Sequence, residues 1–335
     1  MTTEMQHSDR LSQGLLHAFI LDGAGGAQAI TYAQLGQLQL TEQQTLWLHL
    51  ERSHSRTELW LREQSGLSEF ACDVLLEEST RPRLLRLANQ ELLLFLRAIN
   101  LNSQADPEDM ISLRIFANAQ YVYSLRQRPV QVTDELITAF SRGLGPKSAS
   151  ELLLYFAQSI TDRVEDIVSE LADRIDQEEA RVDADERYVS DPLSMLKSRR
   201  RAANLRRFLA PQREVFAAFT RTQESWFLSD DAMYWNELNN SLTLHLEELE
   251  LTRERIGFVL ETEHRRRNET MNRTMYLLAI ITGFFLPMTF VTGLLGINVG
   301  GIPGSEQPYG FLLSCVLLAI LAFGQWLFFR WLRWV

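Results

Sequence analysis

The run Tyr276-Leu277-Leu278-Ala279-Ile280-Ile281-Thr282-Gly283-Phe284-Phe285-Leu286-Pro287-Met288-Thr289-Phe290-Val291-Thr292-Gly293-Leu294-Leu295, closed by Gly296-Ile297-Asn298, decides how this chain is organised. At about 1.5 Å per residue in a helix, its roughly 20 residues reach about 30 Å, the thickness of a bilayer's hydrocarbon core. A second apolar run, Phe311 to Phe329, follows one short loop later. The chain has 335 residues and a mean hydropathy of -0.13, so most of it is polar enough for water. The expected plan is a large soluble body with two C-terminal spans. A polar turn at the mouth of the first span points to ion passage.

The arginines orient the spans. Arg265, Arg266, Arg267 and Arg273 precede the first, and Arg330 and Arg333 follow the second. The connecting loop, 299–310, has no Lys or Arg and carries only Glu306 as a charge. Positive residues stay inside, so both termini are expected in the cytoplasm and the loop outside. Trp326, Trp331 and Trp334 suit the inner interface.

Met275, Leu278, Thr282, Leu286, Thr289, Gly293 and Gly296 recur at steps of three and four, so they share one face of the first span. Hydroxyls and glycines on one face suit either close helix packing or contact with water. Two spans cannot enclose a hole, so a pore requires several copies about an axis. Pro287 removes the hydrogen bond to the Gly283 carbonyl and is expected to kink the helix. Gly296 is expected to allow a turn closed to other residues. Asn298 offers an amide oxygen to a cation or its hydration water, which suits a divalent ion that gives up water reluctantly.

The rest of the chain reads as α+β followed by long helices. Strands are expected at His17–Leu21, Leu46–Leu50, Leu92–Ile99, Ile111–Phe116 and Tyr121–Leu125, and helices at Ser55–Gln64, Phe70–Glu77 and Asp134–Ser141. Asp22-Gly23-Ala24-Gly25-Gly26 lacks the Gly-Lys-Ser/Thr of a phosphate loop and reads as a hairpin turn. Three long helices are expected at Ala149–Tyr188, Pro192–Phe227 and from Asp230 into the membrane, with Asp191-Pro192 as a start signal. This divides the chain into an α/β domain (1–148), a long-helix stalk (149–274) and a membrane domain (275–335). In the last, the first span is about 276–295, the outer loop 296–310 and the second span about 311–329.

Leu242, Leu249 and Ile256, with Leu238 and Leu260 beside them, form a seven-residue repeat resembling a coiled-coil seam that could gather copies. The first long helix is acidic and the second basic, so the two are expected to attract each other, with a cation-collecting surface as the sharper alternative.

Charge and motif exclude other classes. A net charge of -10 argues against nucleic acid as partner. Cys72 and Cys315 are far apart and suggest no disulfide framework. Residues 1–13 are polar and lack the apolar core of a signal peptide. No nucleophile elbow or phosphate loop with its lysine is present, so an enzyme is not expected. His245 and Glu248, one helical turn apart, are the only candidate metal-ligand pair, and a solvated helix face explains them as well.

At Phe285-Leu286-Pro287-Met288-Thr289-Phe290-Val291-Thr292-Gly293 and Gly296-Ile297-Asn298 the chain resembles the CorA superfamily of two-span metal-ion transporters. Most members carry Gly-Met-Asn where this chain has Ile297. The run Val299-Gly300-Gly301-Ile302-Pro303-Gly304, with Glu78-Ser79-Thr80-Arg81-Pro82-Arg83 and Ala210-Pro211-Gln212-Arg213, resembles its zinc-transporting ZntB branch. The resemblance implies a funnel-shaped homopentamer in a bacterial inner membrane, its first spans lining a central pore. The pore positions it implies are Asn272, Met275, Leu278, Leu286, Thr289, Gly293 and Asn298. No cofactor is implied, and the implied transported ion is Zn²⁺, although zinc prefers Cys, His and carboxylate ligands and the implied pore offers neither Cys nor His. A magnesium channel is the alternative within transport. A membrane-tethered scaffold or sensor, which conducts nothing, is the alternative outside it.

Overall fold

A computed structural model describes residues 14–103, 105–185, 187–221, 224–297 and 308–331. The chain divides into two compact units, Met1–Val259 and Leu260–Val335.

The first unit is built on a seven-stranded sheet. Its strands are β1 (Leu15–Leu21), β2 (Ala27–Ala29), β3 (Thr45–Glu51), β4 (Arg83–Arg86), β5 (Leu92–Ala98), β6 (Ile111–Ala117) and β7 (Tyr121–Arg126). Their order across the sheet is β2-β1-β3-β7-β6-β5-β4. Only β3 and β7 run parallel, with Leu48 opposite Tyr123. The glycine-rich stretch is the β1–β2 hairpin turn: Asp22 Oδ1 accepts from the amides of Ala24 and Gly26 at 2.7 and 3.0 Å. Strands β4 and β2 have no counterpart among the sequence expectations, apart from the hairpin reading. Both are edge strands of three or four residues, too short for a periodic signal.

Both sheet faces are covered, which explains the unbroken apolar run Leu92–Leu96. Leu92, Leu94, Leu96, Ile115, Val122 and Trp47 belong to one core cluster, which also contains the long helices. Leu93, Phe95, Phe116, Tyr123, Leu48 and Leu125 belong to the other, with Leu61 of helix α2 (Ser55–Glu63) and Leu75 of helix α3 (Glu69–Leu76). A short helix α1 (Tyr32–Leu35) and helix α4 (Gln131–Ser141) complete the α/β part.

Three long helices follow: α5 (Ala149–Ala184), α6 (Pro192–Phe219) and α7 (Asp231–Leu295). Ser148 caps α5 by accepting from the Glu151 amide at 3.2 Å, and Asp191 caps α6 through the amides of Leu193 and Ser194. The ends fall short of the expected ones, Ala184 rather than Tyr188 and Phe219 rather than Phe227. Beyond them, Tyr188 bonds back to Glu178 at 2.8 Å, and Trp226 donates to the Gln90 carbonyl at 2.9 Å. Those side chains are recruited to tertiary contacts that a continued helix would not make.

The seven-residue repeat has a different role from the expected one. Leu242, Leu249 and Ile256 are at most 1% exposed within a single chain. Leu242 and Leu249 join Trp235, Leu205, Phe216 and Phe156 in the core cluster shared with the sheet. Trp235 stacks on Phe219 at 4.2 Å between centroids. The repeat therefore binds the start of α7 to its own α5 and α6, because those helices present complementary apolar stripes first. The side roughly 200° away around the helix carries a second repeat: Leu244, Leu251 and Phe258 are 64%, 42% and 50% exposed.

The charge pattern also pairs differently. Among the described residues, Asp176 and Glu179 of α5 engage Arg255 of α7, and Arg206 of α6 meets Glu250 of α7 at 3.1 Å. Glu170 and Arg201, at 3.7 Å, link α5 to α6 directly. The basic helix and the acidic helix thus both turn charges toward α7.

Candidate functional site

The second unit holds the upper part of α7 and helix α8 (Gly310–Trp331). Both are long and apolar enough to cross a membrane. Asn298 and Glu306 lie outside the described residues.

Asn272, Met275, Leu278, Thr282, Leu286, Thr289, Gly293 and Gly296 are all exposed within one chain. The half-buried positions of the same span are Ile280, Phe284, Pro287, Met288 and Val291. At about 100° per residue these two sets centre on roughly opposite sides of the helix. The striped face therefore points away from the side on which the chain itself covers this span. Thr289 Oγ1 donates to the Phe285 carbonyl at 2.9 Å, which commits its hydrogen and leaves oxygen lone pairs facing outward. An acceptor of that kind suits the water carried by a hydrated cation.

Pro287 has the expected chemistry and an unexpected partner. It leaves the Gly283 carbonyl without its helical donor. Gln325 Nε2 of α8 supplies one at 3.2 Å. A Cβ at Gly283 would lie 3.1 Å from Phe329 Cζ, so the absence of a side chain lets the second helix approach. Sequence reasoning identified Pro287 and missed Gln325. A lone amide in an otherwise apolar span was the available signal, since such groups in lipid need partners. We expect Gln325→Leu to destabilise the helix pair by about 1 kcal/mol. In a Pro287→Ala background the helix donates to Gly283 itself, so the same change costs less. Unfolding titrations of the four proteins in detergent measure this, and equal costs in both backgrounds would refute the link.

Gly296 differs from expectation. Its amide donates to the carbonyls of Thr292 and Gly293, and its backbone is not in the left-handed region. A Cβ there would lie 3.1 Å from the Thr292 carbonyl oxygen, a tight contact that glycine avoids. Ile297 beside it is 48% exposed.

His245 Nε2 lies 3.2 Å from Ser241 Oγ on the same helix. Burial pushes the His245 imidazole below its ordinary range, with Glu165 opposing. Among the described residues no group of three or more His, Cys, Asp or Glu is placed to hold a metal ion. Cys72 is buried with its thiol against the Leu61 carbonyl, and burial raises its pKa.

Comparison with known proteins gives a consistent result. Residues 42–331 match the family described as CorA-like Mg²⁺ transporter protein. The chain is 54% identical over 323 residues to the divalent cation transporter CmaX of Pseudomonas aeruginosa strain PAO1, covering 96% of this chain and 97% of that one. It is 33% identical to the zinc transport protein ZntB of Pectobacterium carotovorum subsp. carotovorum strain PC1, covering 96% of this chain and 94% of that one. The solved full-length CmaX structure superposes with a TM-score of 0.87 at 54% identity, covering 96% of this chain and 98% of that one.

Proposed function

Because the chain belongs to the family of CorA-like Mg²⁺ transporter proteins and is a divalent-cation transporter of that family, we propose that it carries Zn²⁺ through a homopentameric pore lined by its first span. The observation that carries the pore is the stripe from Asn272 to Gly296, exposed on the side of the helix away from its half-buried positions. Met275, Leu278 and Leu286 form apolar constrictions, Thr282 and Thr289 supply hydroxyl rings, and Gly293 widens the bore. Gly296, Ile297 and Asn298 form the outer entrance, with Glu306 as the one acidic charge of the outer loop. An ion passing such a path keeps most of its water, which neutral oxygen acceptors permit and strong ligands would prevent.

Assembly uses the exposed repeat Leu244, Leu251 and Phe258, since the other repeat is occupied within the subunit. The arginines flanking the spans support a reading in which both termini are cytoplasmic, in a bacterial inner membrane. An α/β domain of 1–148, a stalk of 149–274 and a membrane domain of 275–335 are the working parts of each subunit.

Zinc as cargo draws on the 33% identical zinc transport protein and on Ile297 in place of the usual methionine. The test is uptake into proteoliposomes loaded with a zinc-sensitive dye. If Zn²⁺ is the cargo, about tenfold excess Mg²⁺ is expected to leave Zn²⁺ uptake largely intact. Suppression of Zn²⁺ uptake by that excess would favour the magnesium reading, and no uptake of either ion would favour the scaffold.

A further inference from the structure

The first unit of this acidic protein contains a cleft of about 470 Å³ with arginines on its floor and rim. Two of them form the floor. Arg114 is 2% exposed and donates to the carbonyls of Leu75, Glu77 and Glu78. Arg97 donates to the carbonyls of Met110 and Thr80, and its buried Nε has no partner. Among the described residues neither guanidinium has a carboxylate within ion-pair distance. Carbonyl dipoles meet most of their hydrogens without cancelling their charge, and buried charges are ordinarily paired.

The neighbours add to the positive field. Burial, then Arg52 and Arg97, lower the Arg114 pKa to about 10, with Glu77 opposing. Burial, then Arg207, lower that of Arg97. The rim carries Arg128, Arg207 and Asn204, all exposed, the last two one turn apart on α6. Among the described residues neither Arg128 nor Arg207 has an ion-pair partner. Phe208 holds the Arg97 guanidinium 4.7 Å and the Arg207 guanidinium 5.6 Å from its ring centroid, which fixes the spacing of floor and rim. Gln212 accepts from the Arg97 amide at 2.7 Å and closes the free edge of β5 there. The carboxylates at the cleft are Glu78 and Asp109, both exposed, and Glu108, which lies 3.6 Å from Arg201.

From this cleft we infer a binding site for a phosphoryl-bearing small anion, held by the rim donors of Arg128, Arg207 and Asn204 over Arg97 and Arg114, neither of which has a direct carboxylate partner. Its size falls within the range of small-molecule sites. Guanidinium forks match phosphoryl oxygens in geometry and charge. The site shares no residue with the stripe of the first span and gives the soluble body a ligand of its own.

The experiment uses the full-length protein in detergent, free of divalent cations, with sodium pyrophosphate or inorganic phosphate titrated at constant ionic strength. Thermal midpoint and calorimetric binding are both read. Pyrophosphate raises the midpoint saturably, as a ligand of the folded state must. In the Arg128→Ala/Arg207→Ala double variant, half-saturation moves to about tenfold higher concentration or beyond, equivalent to about 1.4 kcal/mol. Arg62→Ala, which removes an exposed pair with Glu58 and Asp73, leaves the response at wild type. Equal saturation by inorganic phosphate would identify a single phosphoryl group as the recognised unit. The inference is overturned if pyrophosphate does no more than matched sodium chloride, or if the double variant responds as the wild type does.

Discussion

In proteoliposomes, Asn298→Ala is expected to reduce divalent-cation flux by roughly tenfold or more while the protein still assembles. The reason is multiplicity. One amide oxygen from every subunit would meet a hydrated ion at the entrance, and each lost hydrogen bond weakens that contact by about 1 kcal/mol. In the proposed pore a hydrated Mg²⁺ or Zn²⁺ would have to be drawn out of bulk water before reaching constrictions at Leu286 and Leu278, so the first ring would control occupancy of everything below. Thr289→Leu, further down the same face, replaces an outward-facing oxygen with a branched apolar group and should also suppress flux. Asn298→Asp separates two causes: if field strength at the mouth governs entrance, it should retain flux where alanine does not. Wild-type flux in Asn298→Ala, with the oligomer intact, would remove the pore assignment altogether.

The second large effect separates the two repeats on α7. Leu242→Ala should cost about 2–5 kcal/mol of subunit stability, because it opens a cavity among fully buried neighbours. It should lower the thermal midpoint while leaving the oligomer mass unchanged below that temperature. The triple change Leu244→Ser/Leu251→Ser/Phe258→Ser falls on exposed positions, where a single substitution ordinarily moves subunit stability by about 0.5 kcal/mol or less. It should instead shift native mass toward smaller assemblies. If the triple variant remained fully assembled, the contact between copies would have to lie elsewhere on the chain.

These repeats show where reading the sequence stops. Seven-residue spacing on α7 was legible, yet spacing alone does not say which of two apolar stripes meets its own chain. Leu242 and Leu249 look like part of an intermolecular seam until α5 and α6 are seen to present Phe156, Leu205 and Phe216 to the same cluster. Charge behaved similarly. The acidic and basic helices were plain from composition, but Arg255 takes Asp176 and Glu179 because α7 lies within reach of both. Gln325 was the clearest omission. Its meaning depends on Gly283, 42 positions earlier, whose carbonyl Pro287 leaves without a donor.

The sequence by itself determined the plan: five of the seven strands, the hairpin at Asp22–Gly26, the start of α6 at Asp191-Pro192 and two apolar C-terminal helices. Each rests on a local signal, a periodicity, a capping residue or an unbroken apolar run, that acts over one element's length. Only the tertiary structure decided the order of the strands, which repeat stays within the subunit, what satisfies the Gly283 carbonyl and how Arg97 and Arg114 come to share one cleft. Those outcomes depend on distances between residues far apart in the chain, and such distances are set by how whole elements bury their faces together.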